Sequence, residues 1–217
     1  MTPHAASEIL ETLCRRAPVI PVLVIEDATQ ARPLAEALVA GGLPVLEVTL
    51  RTDAALEAIR QMASVEGVII GAGTLITPGD VEAAQGAGAR FGVSPGATPM
   101  LLDAARAGAL PLLPGAATAT EAMALMERGF TVQKFFPAEA AGGVAALRAL
   151  AGPLPHIRFC PTGGIGPGNA AEYLALPNTL CVGGSWIAPK ALTEAGAWAE
   201  ITALARAAAA LGAPGIR

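Results

Sequence analysis

Eight apolar runs, each followed by an amphipathic segment, organise this chain of 217 residues. They are Val19–Ile25, Leu43–Val48, Gly67–Ile70, Ala89–Val93, Leu110–Leu113, Phe130–Phe136, His156–Cys160 and Thr179–Val182. The runs are continuously apolar rather than half-polar, the pattern of parallel strands whose outer face is covered. Between them, Ala31, Leu34, Ala35, Leu38 and Val39 mark one helical face, as do Ala55, Ile59, Met62 and Ala63. Thr77-Pro78 and Thr98-Pro99 each place a capping hydroxyl before a first-turn proline, and Thr118 with Glu121 makes a capping box. Gly41-Gly42, Gly88, Gly108 and Gly129 stand where helices should stop.

A short helix around Ala6–Arg15 opens the chain, and the alanine-rich stretch Thr193–Ala213 reads as the last helix. Eight strand–helix units at a spacing of roughly 20–26 residues predict an α/β fold. The expected architecture is a (β/α)8 TIM barrel with a short N-terminal helix, one domain over residues 1–217. An open doubly wound sheet uses the same alternation. The count of eight and the lack of a GxGxxG after the first strand favour closure.

Composition narrows the function. Fourteen basic residues against 18 acidic ones give a net charge of −4, with no basic run and few aromatics. That excludes the clustered positive face a nucleic-acid partner requires. Mean hydropathy is +0.53, yet no apolar run approaches the roughly 18 residues of a membrane span. The longest, Ala17–Ile25, is broken by Pro18 and Pro21. The N-terminus has no basic segment ahead of a hydrophobic stretch, and Glu8 and Glu11 come early, so the chain reads as cytoplasmic. Cys14, Cys160 and Cys181 form neither a CxxC nor a zinc spacing and read as buried thiols. His4 and His156 leave little from which to build a metal site or a Ser-His-Asp triad.

The strand ends carry the chemistry in such a barrel. The chain has twelve arginines but only two lysines, and one of these, Lys134, sits inside the apolar run Phe130–Phe136. Burial disfavours an ammonium and leaves the free amine that a Schiff-base nucleophile needs; the plainer alternative is a lysine that snorkels to water. Alternation puts Phe136 on the face of Lys134, and groups Glu47 with Val45 and Thr49 on the second strand. A carboxylate flanked by Leu46 and Val48 is costly unless it is paired or used. The third strand ends Gly71-Ala72-Gly73-Thr74, glycines that would let the backbone approach a ligand. The fourth ends Ser94-Pro95-Gly96 and the fifth Pro114-Gly115, ordinary turn chemistry.

The seventh strand ends Thr162-Gly163-Gly164 and the eighth Gly183-Gly184-Ser185, the two places where barrels of this class often bind phosphate through bare amides. An amine (Lys134), a proton carrier (Glu47), a carboxylate clamp (Arg51) and two glycine loops are what an iminium-forming enzyme acting on a phosphorylated keto acid would need.

These motifs form an ordered series, Glu47-Val48-Thr49-Leu50-Arg51-Thr52, Gly71-Ala72-Gly73-Thr74, Lys134-Phe135-Phe136-Pro137-Ala138-Glu139, Pro161-Thr162-Gly163-Gly164-Ile165 and Gly183-Gly184-Ser185-Trp186. From about Pro18 to Trp186 the chain resembles the 2-keto-3-deoxy-6-phosphogluconate (KDPG) aldolases, also called 4-hydroxy-2-oxoglutarate aldolases. The resemblance implies a class I aldolase for a small phosphorylated keto acid, a homotrimer of (β/α)8 barrels with neither metal nor cofactor. It implies that Lys134 forms the Schiff base and Glu47 shuttles protons. It gives Arg51 and Thr74 to the substrate carboxylate, Pro95 and Phe136 to the pocket wall, and Gly163, Gly164, Gly184 and Ser185 to the phosphate. Thr162 would meet the substrate hydroxyls and leans the chain toward the gluconate epimer.

Two positions depart from the family pattern: Ala141, where asparagine is common, and Val22-Leu23-Val24-Ile25, where some members carry an arginine. Two other readings share parts of the pattern. A sugar-phosphate isomerase or epimerase barrel would use the glycine loops and Glu47 but leave Lys134 idle, and a non-catalytic barrel would merely hold an anion.

Overall fold

In the computed structural model, which describes residues 1–212, every apolar run forms a strand. The strands are Val19–Leu23, Val45–Thr49, Ile69–Gly73, Phe91–Val93, Leu112–Leu113 continued after Pro114 by Gly115–Ala116, Val132–Phe135, Arg158–Pro161 and Val182–Gly184. All pair in parallel with the strand that follows, through Val22 with Glu47, Glu47 with Gly71, Gly71 with Phe91, Gly92 with Leu112, Gly115 with Lys134 and Lys134 with Cys160. A bridge from Thr162 to Gly183 joins the seventh strand to the eighth, and Val182 pairs with Val19. The eight strands among the described residues therefore close on themselves, and the open-sheet alternative falls.

Most strands begin about two residues after the start of the apolar runs that announce them. Leu43, Phe130, Ile157 and Leu180 are buried below the ladder, so they look like strand without pairing as strand. The far ends, Gly71–Gly73 and Gly183–Gly184, pair as strand although glycine gives them no apolar signature.

Alternation sorts the side chains into two cores. Leu46, Val48, Phe135 and Phe159 point outward to the helices, and the rings of Phe135 and Phe159 meet edge-on at 6.0 Å. Ile20, Val45, Phe91, Val93, Leu113, Val132, Cys160 and Cys181 point inward and fill the barrel. The first helix, Pro3–Cys14, packs Leu10, Leu13 and Cys14 against this inner layer and closes its N-terminal end. All three cysteines are buried free thiols, with the Cys160 and Cys181 sulfurs 3.5 Å apart.

The helix signals act as the spacing predicts. The Thr77 side chain caps Pro78–Gly86, Thr98 caps Pro99–Ala107, and Thr118 with Glu121 forms a complete capping box on Ala119–Glu127. Gly42, Gly88 and Gly129 follow helix ends at positive φ, where a side chain would be strained. The opening helix starts earlier than expected because Pro3 suits a first turn and Thr2 caps it. The single terminal helix expected over Thr193–Ala213 is instead two, Lys190–Glu194 and Trp198–Ala209, separated at Gly196 with φ 64°. Ala213 lies outside the described residues. Among the described residues, no helix is long and apolar enough to cross a membrane.

Candidate active site

Lys134 is the third residue of the sixth strand. Its neighbours Gln133 and Phe135 point outward, the Gln133 amide donating to the carbonyls of Ala122 and Phe130 at 3.0 and 2.9 Å. The lysine itself points into the barrel above Val132 and is 5% exposed. Glu47, the third residue of the second strand, points inward above Val45 and is 3% exposed. Their charged ends meet with Lys134 Nζ 3.5 Å from Glu47 Oε1. The Phe136 ring lies 5.1 Å from the same ammonium, close enough for its negative face to attract a cation.

Room for the carboxylate comes from Gly73, whose side-chain position the Glu47 carboxyl occupies, and the Phe91 ring fills the corresponding space at Gly71. These two glycines make space for neighbouring side chains rather than for a ligand, which corrects the reading of Gly71-Ala72-Gly73. Burial pushes the Glu47 carboxyl up from its ordinary value, and the Lys134 charge offsets only part of that. The pair thus combines an amine with a carboxyl poised to exchange protons.

The other lysine differs in every respect. Lys190 is exposed and donates to both Glu26 oxygens at 2.9 and 2.7 Å, with Glu194 a further 3.8 Å partner. Its bond to Glu26 raises its pKa and holds it as an ammonium.

Around the same rim stand the remaining residues singled out from the sequence. Arg51 is exposed two residues beyond the second strand. Thr74, immediately after the third, has φ 63°, a left-handed conformation that costs a threonine about 1–3 kcal/mol and is typical of functional sites. Pro95 is half-buried after the fourth strand, and its carbonyl occupies the space a side chain at Gly115 would need. Thr162 is 7% exposed, and its hydroxyl is buried without a protein partner among the described residues. Gly183 gives that hydroxyl room, as Gly184 gives room to the Trp186 ring.

Gly163 and Gly164 adopt φ 104° and 78°, so the loop they form requires glycine. Their amides donate to no protein oxygen among the described residues. Successive free amides of this kind make an anion-binding concavity. Exposed Ser185 lines a cavity of about 600 Å³ where the first and eighth strands end, together with Val22, Val24 and Lys190.

Sequence reasoning left Glu139 and Tyr173 without a role, although Glu139 lies within a quoted motif. The Tyr173 hydroxyl donates to Glu139 beside Gly164. Nothing in the apolar pattern around Tyr173 signals that contact, which depends on a helix and a loop meeting in space.

The family model for KDPG and KHG aldolases matches residues 10–204. The 2-dehydro-3-deoxy-phosphogluconate aldolase of Pseudoalteromonas atlantica is 54% identical over 200 residues, 92% of this chain and 93% of that one. A crystal structure of the 2-keto-3-deoxy-6-phosphogluconate aldolase of Zymomonas mobilis with 3-phosphoglycerate superposes with a TM-score of 0.93 at 49% identity, covering 97% of this chain and all (100%) of that one. The KDPG aldolase of Legionella pneumophila, solved with pyruvate captured as a covalent carbinolamine, superposes with a TM-score of 0.89 at 48% identity over 92% of this chain and 97% of that one. Sequence, fold and a buried lysine–glutamate pair at the strand ends agree: the chain belongs to the KDPG and KHG aldolase family.

Proposed function

We propose that this protein is a class I aldolase that cleaves KDPG to pyruvate and glyceraldehyde 3-phosphate through a Schiff base on Lys134. The same chemistry cleaves 4-hydroxy-2-oxoglutarate (KHG) to pyruvate and glyoxylate. The observation that carries this reading is the buried Lys134–Glu47 pair, 3.5 Å apart at the end of the barrel where the strands finish.

Lys134 passes a proton to Glu47 and, as the free amine, attacks the C2 ketone of the substrate; Glu47 then relays the protons that turn the carbinolamine into an iminium with loss of water. The iminium is an electron sink. Removal of the C4 hydroxyl proton then breaks the C3–C4 bond, the bonding pair passes into the iminium, and the aldehyde departs. The enamine of pyruvate that remains takes a proton at C3, and water releases pyruvate and regenerates the amine.

Arg51 and the strained Thr74 hold the substrate carboxylate, with Pro95 and Phe136 walling the pocket. Thr162 offers its unpartnered hydroxyl to the substrate hydroxyls. The phosphate sits on the amides of Gly163 and Gly164, closed by Gly184 and Ser185 from the eighth strand. The protein works in the cytoplasm as a homotrimer, in line with the family pattern, and exposed Ile76 and Met100 offer apolar surface for such an assembly.

Borohydride reduction in the presence of pyruvate, followed by peptide mass spectrometry, tests the reading. A pyruvyl adduct is expected on Lys134. Absence of any adduct, or an adduct on Lys190 alone, would refute it in favour of an isomerase-type or purely anion-binding barrel.

A further inference from the structure

The loop after the sixth strand and the loop after the seventh are fastened together by two backbone hydrogen bonds. Ala138 N–H donates to the Thr162 carbonyl at 2.8 Å, and Glu139 N–H donates to the Gly163 carbonyl at 3.1 Å. A peptide unit is planar and trans, so fixing its carbonyl fixes the opposite amide. The first bond therefore aims the Gly163 N–H, and the second aims the Gly164 N–H. Among the described residues neither amide donates to the protein itself.

The Glu139 side chain completes this clamp. Its stem lies against Gly164, where an added methyl carbon would fall 2.6 Å from Glu139 Cγ. Its carboxylate accepts from the Tyr173 hydroxyl and lies beside Gly143. Tyr173 is fully buried in the helix Ala170–Leu174, whereas Glu139 is exposed, so the tether runs from a buried anchor to an exposed side chain. From the same helix end, Asn169 accepts from Gly166 N–H at 2.8 Å and donates to the Gly164 carbonyl at 3.2 Å.

We propose that Glu139, anchored by Tyr173, is a positioning residue that sets the Gly163 and Gly164 amides for the substrate phosphate and so determines preference for phosphorylated over unphosphorylated keto acids. This deepens, and rests on, the aldolase reading above. Glu139 touches no reacting atom. It acts through the loop, and its effect is confined to substrates that carry a phosphate.

Steady-state kinetics on two substrates test the proposal, because KHG lacks the phosphate of KDPG. Glu139→Ala and Tyr173→Phe are expected to raise KM for KDPG by about tenfold or more, as displaced contacts do. Both should leave kcat/KM for KHG within about twofold of wild type, since no contact to that substrate is removed. Glu139→Gln keeps the stem and an oxygen acceptor and should behave as wild type on both. Equal losses on the two substrates would mean a merely structural role and would overturn the proposal, as would an unchanged KM for KDPG. Should Glu139→Ala fail to fold, Tyr173→Phe carries the same comparison. Wild-type protein that releases pyruvate from neither substrate would refute the aldolase reading itself, an outcome separate from any variant's behaviour.

Discussion

Lys134 and Glu47 meet at 3.5 Å although 86 residues of chain lie between them and their strands, the sixth and the second, stand on opposite sides of the barrel. Three strands lie between them in either direction around the ring. Only closure of the sheet lets two inward side chains reach across the lumen, and Val45, Val132 and the layer beneath them keep water from below. Each charge is therefore buried with one counter-charge at hand, the setting in which loss of either partner is most strongly felt.

That pairing sets an order of losses. Glu47→Gln should lower kcat on KDPG by about 10²–10⁴-fold, the usual span for removing general acid–base help. Lys134→Ala should lower it further, because no iminium forms without the amine, and Lys190→Ala should keep wild-type turnover. A lactate-dehydrogenase-coupled assay of pyruvate release measures all three. A Glu47→Gln loss as large as the lysine loss would sink the assignment of Lys134 as nucleophile.

The acid side of the pH profile should carry the mark of Glu47. Its burial raises the carboxyl above its ordinary 4.5. The ionised form, needed as base, is then lost as pH falls through that raised value, so the acid limb of kcat should begin above the range of an exposed glutamate. Glu47→Gln removes the titrating group, and its residual rate should be flat through the same window. A wild-type limb at or below the ordinary value would contradict the buried setting.

Gly73 offers a way to move Glu47 without removing it. A methyl group there collides with the carboxyl, and the stiff strand Ile69–Gly73 leaves the side chain to yield. Gly73→Ala should lower kcat by about 100-fold, the scale of a displacement near 1 Å at a reacting group. KM for KDPG should stay nearly constant, because the glycine loops proposed for the phosphate are untouched. A rise in KM with kcat preserved would place Gly73 in binding instead.

The capping box on Ala119–Glu127 separates stability from catalysis. Thr118 accepts from Glu121 N–H at 3.3 Å, and the Glu121 carboxylate accepts from Ala117 and Thr118 amides at 2.8 and 2.9 Å. Thr118→Ala should destabilise the fold by about 1 kcal/mol. For a chain of this size that is a fall in Tm of about 2–4 °C, readable by calorimetry. Pyruvate release at 25 °C should be unchanged, since the cap lies on the outer helical ring; a loss of turnover there would connect this helix to the site.

The chain's own sequence determined the barrel, because the evidence of a strand buried on both faces is local: a run of apolar residues, a cap, a glycine stop. Lys134 and Glu47 were legible for the same reason, each a charge where the pattern demands a hydrophobe. The paired glycines were singled out by their place at strand ends, and Thr162 only through the family resemblance. What sequence spacing did not determine is which residues face one another. It gave no sign that Gly73 is small to admit Glu47, that Gly183 makes way for Thr162, or that Tyr173 anchors Glu139 beside Gly164. It also ran the last helix through Gly196, where a left-handed turn divides it. Those relations join residues far apart in the chain, and they exist only once eight parallel strands close and bring their ends to one rim, because steric room and hydrogen-bond geometry belong to neighbours in space rather than in sequence.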